Sequence, residues 1–425
     1  MKKNRLMLLM LSVLFTLAMS CQQAYSFPPH VPQQTAFGED VVGQLFPQFQ
    51  GSFEYTVSNT DLNTNSVANG GTVTQAQAMA VVGTSTTTAS TALLQSQQHA
   101  KYKPGLGGLL RFTALFTEPV AGTEQLIGIV DGNGGSAAFN NGFVFGYIGT
   151  TFGVHRFQND VLTTVTQANW NIDTMGAGVL NPSGMTLTHT NLNNYQIRFQ
   201  YLGAGAIRFY IEDDLTGDFV LVHRINYTNN NTTPSVHNPN FHHSMWVDNG
   251  ATTSNIVLKG ASYAYFIEGQ TTFIELHQPH NATGLKEKTG VTTEVAIITI
   301  RNKTTYASKA NFIDIFLHGV SVSVEASSAN NLADLRLIKN TTLGGTPSWT
   351  DINATNSVVE FDVAGTTVTG GKDLFPIPLA GKNDKEIQDI SSFRVILGPG
   401  ESLTIAGKSE NSAILRGGFI WHELF

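Results

Sequence analysis

From Tyr102 to about Gly269 the chain is a succession of short segments rich in β-branched and aromatic residues, each closed by a Gly, Asn or Asp turn. They read LLRFTALFT, EQLIGIV, GFVFGYIG, TFGVHRF, YQIRFQYL, AIRFYIED, DFVLVHRINY and NIVLKGASYAYFIEG. Alternation is clearest around residues 194–214. There Tyr195, Ile197, Phe199 and Tyr201 interleave with Gln196, Arg198 and Gln200, and after GAG the apolar set Ile207, Phe209 and Ile211 interleaves with Arg208, Tyr210 and Glu212. Period 2 puts one set on each face of a strand. No long amphipathic helical pattern occurs anywhere. Many short strands with helix-poor connections predict an antiparallel sandwich or barrel.

A second strand series follows a polar break, HQPHNATGLKEKTG: EVAIITIRN, FIDIFLHGVSVSVE, ADLRLIKN, SVVEFDVAG, SFRVILGPGESLTIAGKS and AILRGGFIWHELF. The expected fold is therefore all-β, with two tandem antiparallel β-sandwich domains of jelly-roll or lectin-like type. The first spans 99–276 and the second 291–425, with a linker at 277–290. Before them lies a polar segment, 27–98, with one strand expected at GSFEYTVS, residues 51–58. VVGTSTTTASTALLQSQQ is either a second strand or a polar arm. The texture change near residue 280 argues against a single outer-membrane β-barrel, the other fold that alternating strands permit.

The first 26 residues read as a secretory signal. Lys2, Lys3 and Arg5 precede an apolar run, Leu6 to Met19, that is too short to span a bilayer comfortably and ends in small residues. Cleavage after Ser26 gives a secreted or cell-surface protein. Cleavage after Ser20 would instead expose Cys21 for lipidation and a membrane anchor, but Ala18 stands where a lipobox prefers an aliphatic residue. Cys21 is the only cysteine in 425 residues. No intramolecular disulfide or cysteine metal cage can form, so stability must come from buried apolar area. Charged residues make up 13% against a usual ~25%, and the net charge is −7. Without a basic stretch, phosphate-backbone binding to nucleic acid is excluded as the working class.

Gly203 and Gly205 suggest a dinucleotide fingerprint, but Arg208 occupies the third glycine's place and a strand follows where a helix is required. The stretch is a hairpin turn, and no nucleotide is expected. GTTVTGGKD fails as a P-loop, with Thr366 and Asp373 at the decisive places. His242 and His243 are adjacent on a strand and point to opposite faces, so they do not form one metal site with His237 and Asp248. WHELF has no second histidine for a zinc-protease motif. Asp213, Asp214 and Asp218 lie in a hairpin loop, and no paired carboxylates at glycosidase spacing are found. DGNGG is an oxygen-rich turn whose Asp131 and Asn133 are the candidate Ca2+ ligands. Trp170, Trp246, Tyr147 and Phe152 are the candidates for stacking on sugar rings, with burial in a sandwich core as the competing role.

HAKYKPGLGGLLRFTALF, NGFVFGYIGTTFGV and YQIRFQYLGAGAIRFYIEDDLTGDFVLVHRINYTN, in that order, resemble a β-sandwich module of virion and tail-associated structural proteins of phages and large viruses, similar in shape to concanavalin-A-like lectins. The resemblance covers roughly 98–269 and implies no catalytic residues. The signal peptide departs from it and favours a cell-surface or secreted relative. The function expected is thus a non-enzymatic exported structural or adhesive protein whose partners are surface glycans or its own copies. The alternatives are a lectin-like carbohydrate-binding module and a polysaccharide hydrolase or lyase.

Overall fold

The computed structural model describes residues 43–57, 63–132, 139–269 and 279–425. Among them every regular element is a strand apart from two short 3-10 turns, and the strands form four large antiparallel sheets. Residues 1–26, read from the sequence as a secretory signal, and Cys21 and Asn133 lie outside the described residues.

The first sandwich pairs a nine-stranded with a seven-stranded sheet. In the nine-stranded sheet the order Phe219–Ile225, Ile207–Glu212, Asn193–Phe199, Gly107–Phe116 is continuous. Gly107–Phe116 then splits its far edge. Its first half pairs with Ser262–Glu268, which in turn takes Leu45–Ser52, while its last residues pair with Val257–Gly260. The seven-stranded sheet runs Val161–Thr166, Thr151–Gln158, Asn141–Ile148, Glu124–Val130, His242–Asp248, Thr91–Ser96, Asn63–Ala68. Inward residues of the two sheets meet in one core. Phe145 stands edge-on to Phe209 at 5.3 Å and Phe112 stacks on Tyr195 at 5.5 Å. Burying each such ring contributes about 1.5–3 kcal/mol.

The described strands between residues 45 and 96 of the polar N-terminal stretch are thus part of this sandwich. Residues 45–96 supply five strands, because their buried positions (Phe49, Ala80, Val82, Ala92, Leu94) complete the core. The strand expected at 51–58 is displaced to Leu45–Ser52, where Phe49 stacks on Tyr265 at 5.4 Å. VVGTSTTTASTALLQSQQ, open between a strand and a polar arm, takes the strand reading twice over, within Met79–Gly83 and Thr91–Ser96.

The second sandwich packs a sheet built on Ala413–Leu424 and Asp314–Ala326 against one built on Val295–Asn302, Ser402–Ser409 and Leu332–Lys339. Trp421, Phe419, Val320, Ile405 and Leu335 lie in its core. The proposed linker is corrected here too. His280–Ala282 and Lys286–Val291 are strands paired with Ala413–Leu424, so the second sandwich takes its first described strand eleven residues before 291. Residues 45–425 form one compact unit.

The 195–211 hairpin has the expected register, Tyr195↔Ile211 and Ile197↔Phe209. Its two glycines serve different needs. Gly203 has φ +81°, a left-handed value that side chains resist. Gly205 has an ordinary φ, but a Cβ there would lie 1.5 Å from the Gln200 carbonyl oxygen. The turn at 213–218 is held by Asp213 Oδ1, which accepts the amides of Leu215 and Thr216 at 2.9 Å each.

Candidate functional site

Each strand of the nine-stranded sheet buries alternate residues and presents the others outward. On Asn193–Phe199 the outward set is Asn194, Gln196 and Arg198, and on Ile207–Glu212 it is Arg208, Tyr210 and Glu212. Strand register then lines these residues up. Gln50 opposes Ala264, Ala264 opposes Arg111, Arg111 opposes Gln196 and Gln196 opposes Tyr210. Five strands contribute one outward residue each to this row.

A groove of about 550 Å3 lies along the row, lined by Gln50, Ser52, Arg111, Thr113, Asn194, Glu212, Phe219 and Ser262 among others. Its polar groups hold one another in place. Arg111 Nε donates to Gln196 Oε1 at 2.8 Å, and Asn194 Nδ2 donates to Glu212 Oε2 at 2.9 Å. Thr113 Oγ1 donates to Asn194 Oδ1 at 3.3 Å. The Arg111 guanidinium also lies 5.2 Å from the Phe219 ring centre and 6.0 Å from that of Phe266. Flanked by two rings and bonded at Nε, it keeps its terminal N–H donors for a ligand. Glu212 is the one carboxylate among these lining residues. A guanidinium, a carboxylate, an amide, hydroxyls and a phenyl ring on rigid strands suit a neutral polyol, whose adjacent hydroxyls both donate and accept.

The four aromatics singled out from the sequence are elsewhere. Trp170, Tyr147, Phe152 and Trp246 are 2%, 7%, 5% and 8% exposed. Trp170, Tyr147 and Phe152 belong to the main core, and Trp246 to a smaller cluster behind the seven-stranded sheet, where its Nε1 donates to Glu124. None offers a face to a sugar: Tyr147 and Phe152 lie on the inward face of their strands, Trp170 follows a 3-10 turn that tucks it into the same core, and Trp246 is buried on the opposite face of its sheet. Asp131 is likewise engaged: it accepts the Asn141 amide and side chain and the Asn238 side chain. Burial raises its pKa against those bonds. With Asn133 outside the described residues, no Ca2+ cage is seen around Asp131. Among the described residues, no group of three or more His, Cys, Asp or Glu is placed to hold a metal.

His242 and His243 do diverge. His243 turns inward to stack on Tyr263 at 4.3 Å, and His242 turns outward to His99, ring centres 3.8 Å apart. The groove was missed in the sequence because outward polar residues look alike until register aligns them. The signal available was the pairing of Arg111, Asn194, Gln196 and Glu212 with strong apolar alternation.

No family model matches the chain, and no curated protein matches it. Solved structures of similar fold include a legume lectin-like domain from Entamoeba histolytica, 10% identical, covering 48% of this chain and 89% of that one, TM-score 0.30. The exoplasmic/lumenal domain of VIP36, in a Ca2+/Man3GlcNAc-bound form, is 10% identical over 55% of this chain and 94% of its own, TM-score 0.34. A glycoside hydrolase family protein from Mycobacterium thermorestibile is 8% identical over 51% and 99%, TM-score 0.36. The likeness is to lectin-like β-sandwich architecture. The virion resemblance rests on the sequence segments alone.

Proposed function

We propose that the chain is a non-enzymatic adhesive surface protein, exported from the cell, that binds glycans through the outer groove of its nine-stranded sheet. The observation carrying this reading is the Arg111 guanidinium fixed between Phe219 and Phe266 beside the Asn194–Glu212 pair. The groove offers hydrogen-bonding groups of both polarities next to an aromatic ring, which is what a sugar's hydroxyl edge and C–H face require. Glycosidic cleavage by the usual route pairs two carboxylates about 5–9.5 Å apart, and a lone groove carboxylate favours binding over hydrolysis.

The test is a glycan array probed with the exported chain and with Arg111→Ala, Phe219→Ala and Trp170→Ala. Retained glycans should be lost with the first two. Trp170→Ala, an interior change, should lower stability while leaving the binding of its folded fraction intact. Binding indifferent to Arg111 and Phe219, or no binding across the array, refutes the reading.

A further inference from the structure

Where the two sandwiches meet, Lys101 Nζ of the first lies 3.0 Å from Asp314 Oδ2 of the second, and both side chains are nearly buried, 9% and 11% exposed. Both backbones are fixed. Ala100 exchanges main-chain hydrogen bonds with Phe241, the Lys101 amide donates to Gln48 Oε1, and the Tyr102 amide donates to Asn240 Oδ1. Asp314 opens a long strand paired with Leu424. Yet the pair is poorly provided for as a resident ion pair. Apart from this contact with Asp314, Lys101 Nζ has no hydrogen-bond partner placed for it, and His99 Nδ1 has none. A buried ammonium has three N–H donors to satisfy, and stripping it of water costs several kcal/mol that only good geometry returns. Glu423 shows the opposite arrangement in the same protein, with four donors on a buried carboxylate.

The geometry points to an isopeptide bond between Lys101 Nζ and Asp314 Cγ, formed on folding, that joins the two sandwiches covalently. The chemistry balances without an oxidant or other co-reactant. A proton passes from the ammonium to the carboxylate, leaving an amine and a carboxylic acid. The Nζ lone pair attacks Cγ, Nζ gives up a second proton, and the Cγ–O bond breaks as that oxygen leaves in water. The net change is an ammonium plus a carboxylate giving a secondary amide and one water.

His99 is the group placed to carry the second proton, with Nδ1 3.9 Å from Asp314 Oδ1. Burial holds its pKa down to about 3, so the imidazole is neutral and can accept a proton, and burial also lowers the pKa of Lys101, which eases loss of the ammonium proton. His242 packs against the His99 ring and is itself fixed by donating its Nδ1 proton to the Ser96 carbonyl. Water has a way out: Asp314 lines a groove of about 240 Å3 with Gln97, Gln98, Lys339 and Glu401. Fixed reactants beside a proton carrier supply the proximity that an intramolecular condensation needs.

Intact mass spectrometry of the purified full chain under denaturing conditions tests this. The parent is expected to be lighter by one water than Lys101→Arg and Asp314→Ala, after correction for the substituted side chains. Its digest should hold a branched peptide linking residues 101 and 314. His99→Gln should slow formation of the bond at least tenfold on refolding. Lys101→Arg keeps the cation, so the comparison survives if Asp314→Ala fails to fold. A folded parent at full mass with no branched peptide overturns the proposal, as does a water loss that persists in Lys101→Arg.

Discussion

Replacing Glu423 gives the sharpest test of how the second sandwich is held. Its side chain is wholly buried. Oε1 accepts Asn281 Nδ2 at 2.8 Å, Ser357 Oγ at 2.6 Å and Trp421 Nε1 at 3.1 Å, and Oε2 accepts the Val358 amide at 2.8 Å. It thereby ties together the strand at 280–282, the loop at 357 and the strand that carries it. In Glu423→Ala, Ser357 can rotate its hydroxyl and half-buried Asn281 can reach water. The Val358 amide and the Trp421 indole N–H cannot. Two buried orphan donors at about 1–3 kcal/mol each give a loss of about 2–6 kcal/mol. That brackets the ~3–5 kcal/mol seen when one member of a buried charged set is removed. Glu423→Gln keeps Oε1 for three donors but turns an amide N–H2 toward Val358, and should lose about 1–3 kcal/mol. Urea unfolding followed by tryptophan fluorescence measures both, since Trp421 reports from the site. An alanine variant within about 1 kcal/mol of the parent would refute the reasoning, because that is close to the range of inert surface changes.

Two other expectations follow from features above. At the 195–211 hairpin, Gly203→Ala meets only Pro234 Cβ at an ordinary contact distance of 3.8 Å and should lose only the left-handed backbone cost, about 1–2 kcal/mol, whereas Gly205→Ala must move the backbone at Gln200 and should lose more. Paired melting temperatures decide it, and the reverse order would refute the turn geometry. Burial lowers the pKa of His155, His189 and His223 to about 4 and of His99, His242 and His243 to about 3. Since the unfolded chain then binds more protons, stability should be full above about pH 6.5 and fall as pH drops toward 4, by up to ~1.4 kcal/mol per pH unit per histidine. Unfolding free energies that stay level from pH 7 to 5 would contradict these burials.

The sequence was most legible where burial alternates strictly, as in 195–211, where strand positions, register and turn all follow from period 2. It was least legible where pairing is made with residues far along the chain. In Gln-, Thr- and Ser-rich 45–96 the local pattern suggests strands only near 51–58 and 81–98, because the strands there are specified by distant partners such as Tyr263 and Tyr265. The same holds for KEKTG, a polar run that is a strand because Ala413–Leu424 lies beside it. Aromatic rings were visible in the sequence but their direction was not. Trp170 and Phe219 differ in what covers them, and only the second borders the groove.

The pairing of Leu45–Ser52 with Ser262–Glu268 has a consequence in time. The first strand of the sandwich finds its neighbour more than two hundred residues later, and Tyr263 reaches back to Asn63 in the same way. During synthesis the early strands must wait, with Phe49 and Leu94 uncovered, until the chain beyond residue 268 has emerged. Such long-range closure slows folding. A chain that stays unfolded until its last strands arrive is also one that can still be threaded through a narrow passage, and chaperones that hold extended segments would find their binding sites in residues 45–96.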